Sequence, residues 1–200
     1  MDELRVGFVP GVTPDKWVRA WREKNPRIAL RVVPLDELEG DAQRAALDAG
    51  ELDMVLLRLP VDLDRPTALH CVRLYEERPV AVAGREHWLA AADADELVDP
   101  SDLREEQHVL PHPGVDPSVE QLAFPTMTVA DAVEVAASGT GIVVLPMSLA
   151  RLHHRRDVVH RPVDLPGTTI GLVWRREDDG PVHQDFVGVV RGRRVGSSRG

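Results

Sequence analysis

The sequence predicts an α/β fold with a parallel sheet, and three observations carry that prediction. Strand-like and helix-like segments alternate twice within the first 57 residues. The third strand reads Met54-Val55-Leu56-Leu57 without a polar interruption, the pattern of a strand covered on both faces. Further on, Thr128-Val129-Ala130-Asp131 opens a helix in capping-box fashion, Ser138-Gly139-Thr140-Gly141 stops it, and Ile142 to Leu145 follows as a buried strand ended by Pro146.

Taken in order, Leu4 to Val9 is a short strand broken by Pro10-Gly11-Val12, and Thr13 is placed to cap a helix whose first residue is Pro14. Trp17, Val18 and Trp21 share one face of that helix, which Asn25-Pro26 ends before a second strand, Ile28 to Val33. This completes a strand-helix-strand unit, a connection that is right-handed almost without exception. Leu38, Ala42, Ala45, Ala46 and Ala49 give a second amphipathic helix, with Gly50 as its C′ residue and Asp53 to Leu57 as the third strand. Leu69 to Tyr75 and Pro79 to Ala83 are extended, either as a hairpin or as one long passage of chain. Residues 84–107 are acidic and alanine-rich and read as short helices, with a cap and turn at Pro100-Ser101-Asp102-Leu103. His108 to Leu110 is a short strand, and the proline-rich stretch from Pro111 to Pro125 is irregular. A helix from Met147 to Arg155, strands at Val158 to Val163 and Thr169 to Trp174, and a final helix carrying Val182, Phe186, Val189 and Val190 complete the chain, whose last ten residues lack periodicity.

Composition excludes several classes of protein. With 43% hydrophobic and 28% charged residues the chain is ordinary globular material, and no apolar run approaches the roughly 18 residues of a membrane span. Acids at Asp2 and Glu3 stand where a secretory signal has a basic segment, so a cytoplasmic protein is expected. The lone cysteine, Cys71, forms no internal disulfide and fits a reducing compartment. A net charge of −9 opposes direct nucleic-acid binding, whose affinity comes largely from counterions released by a basic surface.

Five landmarks in this order resemble the effector-binding domain of LysR-type transcriptional regulators: Leu4 to Gly7, Asn25-Pro26 before a strand, Leu47 to Leu57, Ala136 to Pro146, and the Thr169 to Trp174 strand before a last helix. The resemblance implies a two-lobed type 2 periplasmic-binding-protein-like fold with two crossing strands, near Glu77 to Val80 and Leu145 to Met147. Lobe I would hold residues 1–78 and 147–200, and lobe II residues 79–146. The family's helix-turn-helix has no counterpart here, and residues 149–156 and the terminal arginines look similar to stand-alone actinobacterial members. The stretch between His108 and Thr128 is shorter than the family's, so lobe II is expected to be reduced.

Parallel α/β sheets take ligands beyond the carboxyl ends of their strands, where helix N-termini present free N–H groups. Pro10, Gly11, Val12 and Thr13 fit that description on one lobe, with Thr13 either capping its helix or donating to a carboxylate. Thr126 and Thr128 fit it on the other. Arg58 ends an apolar strand where a guanidinium can grip an acid group, or simply sits in solvent beside a surface acid. His112 is placed to line the site or to be solvated, and Pro146 lies at the second implied crossing. Together they suit a small anionic metabolite, with no cofactor and no metal. His153 and His154, being adjacent, point about 100° apart on a helix and do not share a face. No nucleophile elbow, zinc-binding or phosphate-loop motif is present, so no catalysis is expected. Arg151, Arg155, Arg156 and Arg161 form a basic cluster that is either a solvated face or a phosphate contact.

The expected function is thus effector sensing by a homodimer without membrane attachment. A second reading is an interaction or dimerisation module whose ligand site has degenerated. A third is an enzyme on the same architecture, like the porphobilinogen deaminase group, although Cys71 lies in a strand rather than a mobile loop.

Overall fold

The alternation read from the first 58 residues forms as strand, helix, strand, helix, strand. In chain order the elements are β1 (Glu3–Phe8), α1 (Asp15–Lys24), β2 (Ala29–Pro34), α2 (Ala45–Asp48), β3 (Met54–Arg58), β4 (Leu69–Glu77), β5 (Pro79–Gly84), α3 (Val129–Ala137), β6 (Val143–Pro146), α4 (Met147–Leu152), β7 (Val158–Pro162), β8 (Thr168–Arg175) and α5 (Pro181–Val190). This computed structural model describes residues 2–37 and 40–192. Leu38 of the expected second helix and the arginine tail from Arg193 onward lie outside the described residues.

The chain divides into two compact units, Met1–Glu76 with Thr169–Gly200, and Glu77–Thr168. Residues 147–168, expected with lobe I, belong instead to the second unit. The reason is pairing: β7 lies antiparallel beside β5, with Val80 opposite Pro162 and Gly84 opposite Val158. The chain therefore leaves the second unit after β7, not after Pro146.

The first unit is a five-stranded sheet in the order β2-β1-β3-β8-β4. β1 runs parallel to β2 and to β3, whereas β8 is antiparallel to β3, so the sheet is mixed rather than wholly parallel. Val55, Leu56, Leu57, Leu172 and Val173 are all fully buried, as a strand at the centre of a doubly covered sheet requires. Trp17 and Trp21 of α1 enter this core, and Trp21 meets Phe186 of α5 edge-on at 5.6 Å and donates from its indole to the carbonyl of Ile28 at 2.9 Å. Asn25 ends α1 as expected, its N–H reaching the carbonyl of Trp21.

The second amphipathic helix differs from expectation. Residues Gly40–Arg44 wind as a 3₁₀-helix and only Ala45–Asp48 is α-helical, before Gly50 turns the chain at φ +74°. The inward face is also a different one: Gln43, Arg44 and Leu47 are buried, whereas Ala42, Ala45 and Ala49 of the expected apolar face are exposed. Arg44 is 1% exposed. It grips Asp48 with two hydrogen bonds of 2.8 and 2.7 Å and also donates to the carbonyls of Asp62 and Thr67. One guanidinium thus ties the 59–69 connection to α2.

The second unit has a three-stranded antiparallel sheet, β6-β5-β7, with a core of Val80, Val82, Val133, Ala136, Val143 and Leu145 on one face. β4 and β5 lie in different sheets, so the hairpin alternative falls away. The expected strand at His108 to Leu110 reduces to a single bridge, His108 with Ile142. Residues 84–107 carry only 3₁₀ turns at Trp88–Ala90 and Pro100–Leu103, the second capped by the carboxylate of Asp99.

Titratable groups inside the first unit make its stability fall with acid in two separate ranges. Burial would push the Asp53 carboxyl up, but its hydrogen bonds to the side chain and backbone of Arg5 outweigh that and hold it below its ordinary value of 3.8. His183 is 3% exposed, and its burial lowers its pKa from 6.5 despite the nearby carboxylates of Asp53, Asp178 and Asp179. Below pH 6.5 the unfolded chain therefore binds a proton at this position that the folded chain refuses, and stability falls as pH drops from 6.5 toward the lowered folded value. The Asp53 contribution has the opposite origin. It is present above 3.8 and is lost only as pH falls below that toward its own folded value.

Two measurements check these points. Arg44→Ala, which strands the Asp48 carboxylate and two carbonyls, is expected to cost about 3 kcal/mol in urea unfolding. Exchanging both partners in Arg44→Met/Asp48→Leu should cost less, and a loss under about 0.5 kcal/mol for the single change would show that the buried pair is not structural. His183→Gln is expected to reduce the drop in urea midpoint between pH 7 and pH 5. An unchanged drop would place its source elsewhere.

Candidate functional site

The loop after β1 begins with Val9, whose N–H bonds to the carbonyl of Leu56, and turns back so that Val12 N–H meets the carbonyl of Val9. Gly11 stands at φ +86°, a left-handed conformation that glycine adopts without steric cost. This turn puts Val12 into the core at 3% exposure, which removes its side chain from any ligand. Thr13 does not cap α1. Pro14 already has helical dihedrals and its carbonyl accepts from Trp17 and Val18, which makes Pro14 the N-cap and leaves Thr13 exposed one residue earlier.

Arg58, the last residue of β3, stands beside this loop. Its Nη2 donates to the carbonyl of Pro10 at 2.8 Å, and it makes further contacts, so the guanidinium is held rather than free in solvent. Its peptide is fixed as well: Gln43 Nε2 donates to the Arg58 carbonyl at 3.1 Å, and Gln43 Oε1 accepts from the Arg58 N–H at 2.8 Å. The structure therefore joins Arg58 to the Pro10–Gly11 turn, with Thr13 exposed two residues after Gly11. Gln43 is the residue that sequence reasoning passed over. The signal was a glutamine inside an alanine-rich segment, but helical phasing assigned it to the outside.

On the second unit Thr128 is the N-cap of α3 with a complete capping box. Its hydroxyl accepts from Asp131 N–H at 3.2 Å and donates to Asp131 Oδ2 at 2.9 Å, so both its functions serve the helix. Thr126 is exposed on the preceding loop. His112 is half-buried and held below the ordinary histidine value, chiefly by burial and then by the proximity of His108. Its Nδ1 accepts from Gly114 N–H at 3.1 Å, which leaves the proton on Nε2. His108 itself is buried and fixed to the carbonyl of Leu103 at 2.8 Å. Pro146 sits at the β6–α4 junction, paired with Pro79, where Met147 N–H meets the carbonyl of Arg78.

Other chemistries find little support in these positions. Cys71 lies in β4, and burial pushes its thiol up despite Arg73, away from the thiolate a nucleophile needs. Among the described residues no three His, Cys, Asp or Glu side chains converge as metal ligands, and no helix is long and apolar enough to cross a membrane. The basic cluster separates: Arg161 is turned to the carbonyls of Ala90, Ala92 and His160, while Arg155 and Arg156 stay together.

Comparison with known proteins agrees with this architecture. Residues 1–194 match the family described as the LysR substrate binding domain. The HTH-type transcriptional regulator IlvR of Caulobacter vibrioides is 30% identical over 189 residues, covering 90% of this chain; the chain spans 62% of that relative's length. Among solved structures, the BenM effector binding domain with its effector benzoate superposes with a TM-score of 0.74 at 20% identity, covering 95% of this chain and 90% of that one. The reduced form of the OxyR regulatory domain from Pseudomonas aeruginosa gives 0.68 at 20% identity, covering 95% of each. These likenesses establish the type 2 periplasmic-binding-like fold, and with the match over residues 1–194 they establish that the chain belongs to the LysR substrate-binding domain family.

Proposed function

We propose that this chain is a cytoplasmic effector-sensing module that binds a small anionic metabolite, acts as a homodimer and passes its state to transcription. The observation that carries the anionic part is Arg58, held by Pro10 at the carboxyl end of β3 beside the Gly11 turn. A guanidinium in that position presents a planar fork of donors where open α/β sheets take their ligands. Thr13 adds an exposed hydroxyl at the start of α1, and Thr126, Thr128, His112 and Pro146 are the second unit's candidates. Family membership supports ligand sensing rather than catalysis. The relative's name, a transcriptional regulator, supports the output.

A ligand shifts a two-state protein only to the extent that it binds one state better. A metabolite that binds one state of the module better than the other meets that condition, and one that binds both equally would not signal. The competing reading, an interaction module with no ligand, is favoured by one observation: the Thr128 hydroxyl is fully used by its capping box.

A screen of small carboxylates by thermal shift, followed by calorimetry on the best, decides between them. Arg58→Ala is expected to weaken binding about tenfold or more, the worth of a charge-assisted hydrogen bond of about 1.5–3 kcal/mol. Arg58→Lys should fail to restore it, since an ammonium lacks the fork. Equal affinity in wild type and Arg58→Ala would remove Arg58 from the site, and no binding by any carboxylate would favour the interaction module.

A further inference from the structure

We infer that the second unit carries its own site for a phosphate-bearing anion, in the depression lined by Arg85, Arg155, Arg156 and Asp157. The strand register builds this place. β5 ends at Gly84, opposite the start of β7 at Val158, so Arg85 is brought against residues 155–157, and its N–H bonds to the carbonyl of Asp157 at 3.1 Å. The depression lies at the end of β5 away from Glu77, where the chain enters the unit, about 20 Å along a six-residue strand. It is built wholly from residues of the second unit, whereas Arg58 and the Gly11 turn belong to the first.

Its charge is unbalanced in a particular way. Arg155 is matched: Nε and Nη2 each donate to Asp157 at 2.9 Å, and Glu134 lies 3.7 Å from Nη1. That fork is rigidly held. Arg85 and Arg156 are exposed and make no side-chain hydrogen bond or ion pair among the described residues. Three guanidinium groups, Arg85, Arg155 and Arg156, thus share one depression with a single lining acid, Asp157, whose charge also reaches Arg85, in a chain with 33 acidic and 24 basic residues. Like charges lining one depression repel, and a bound anion relieves that repulsion. A phosphate group, with two negative charges and three terminal oxygens, satisfies two guanidinium forks where a carboxylate satisfies one. The depression is shallow and open to solvent, so it accommodates either inorganic phosphate or a small phosphomonoester. The net charge of −9 disfavours a nucleic-acid backbone as the source.

The test titrates inorganic phosphate, and separately glycerol phosphate, into the full chain at constant ionic strength, with acetate and chloride as comparators, and follows amide resonances of Arg85 and Asp157 together with calorimetric heat. Saturable shifts at these residues by either phosphate, absent with acetate or chloride, are expected; the tighter of the two identifies the source. Arg85→Gln/Arg156→Gln should weaken that binding at least tenfold with an unchanged melting temperature, while Arg58→Ala should leave it intact. Equal shifts from chloride, or full binding by the double variant, would overturn the site and show only general screening of a basic surface.

Discussion

The first unit depends on the hydrogen bonds between Arg5 and Asp53. Asp53 Oδ2 accepts the Arg5 N–H at 2.7 Å, the Asp53 N–H returns to the Arg5 carbonyl at 2.9 Å, and the Arg5 guanidinium closes on both carboxylate oxygens. Together they lock β1 and β3 at the ends where the two strands enter the sheet. A parallel pair has no hairpin to set its register, and a slip of two residues keeps every side chain on its own face of the sheet. The Arg5–Asp53 contact removes that freedom. Val6 is opposed to Met54 and Phe8 to Leu56, and the carboxyl ends of both strands finish level. That is why the Pro10 carbonyl comes within 2.8 Å of Arg58.

A second layer of polar contacts fixes what the strands deliver. Gln43 satisfies both the N–H and the carbonyl of Arg58, and Arg44, one residue on, closes the connection that follows β3. Both side chains are buried, and burial without such partners would cost each of them kilocalories. The 3₁₀ turn that carries them is a weak helix by itself. It is held by these tertiary hydrogen bonds and in turn holds the end of β3 at Arg58.

The legible part of this fold was the part written in periodicity. Trp17 and Trp21, the Asn25-Pro26 stop, the unbroken run at Met54 and the capping box at Thr128 each declare their structure within a few residues, and each forms within a residue or two of where it was read. What escaped depended on distant partners. Gln43 and Arg44 turn inward because Arg58, Asp62 and Thr67 offer them hydrogen bonds. Residues 147–168 join the second unit because β7 finds β5, a pairing across some eighty residues that no local pattern announces. The site residues divide along the same line. Arg58 was conspicuous as a charge closing an apolar strand, whereas its tie to Pro10 is visible only in three dimensions.

That tie changes how Arg58 is expected to act. An arginine waving in solvent must give up side-chain freedom on gripping a ligand, a cost of about 0.5–1.5 kcal/mol that reduces affinity. Here most of that freedom is already surrendered in the absence of any ligand, because the peptide is clamped by Gln43 and the guanidinium is anchored to Pro10. Five N–H donors leave capacity beyond the bond to Pro10. The anchor therefore favours recognition by a preset fork over capture by a mobile charge. It also links the guanidinium to the Gly11 turn, so an acid group drawing on Arg58 pulls on the loop that leads into α1. In this unit that one contact ties the end of β3 to the loop that leads into α1.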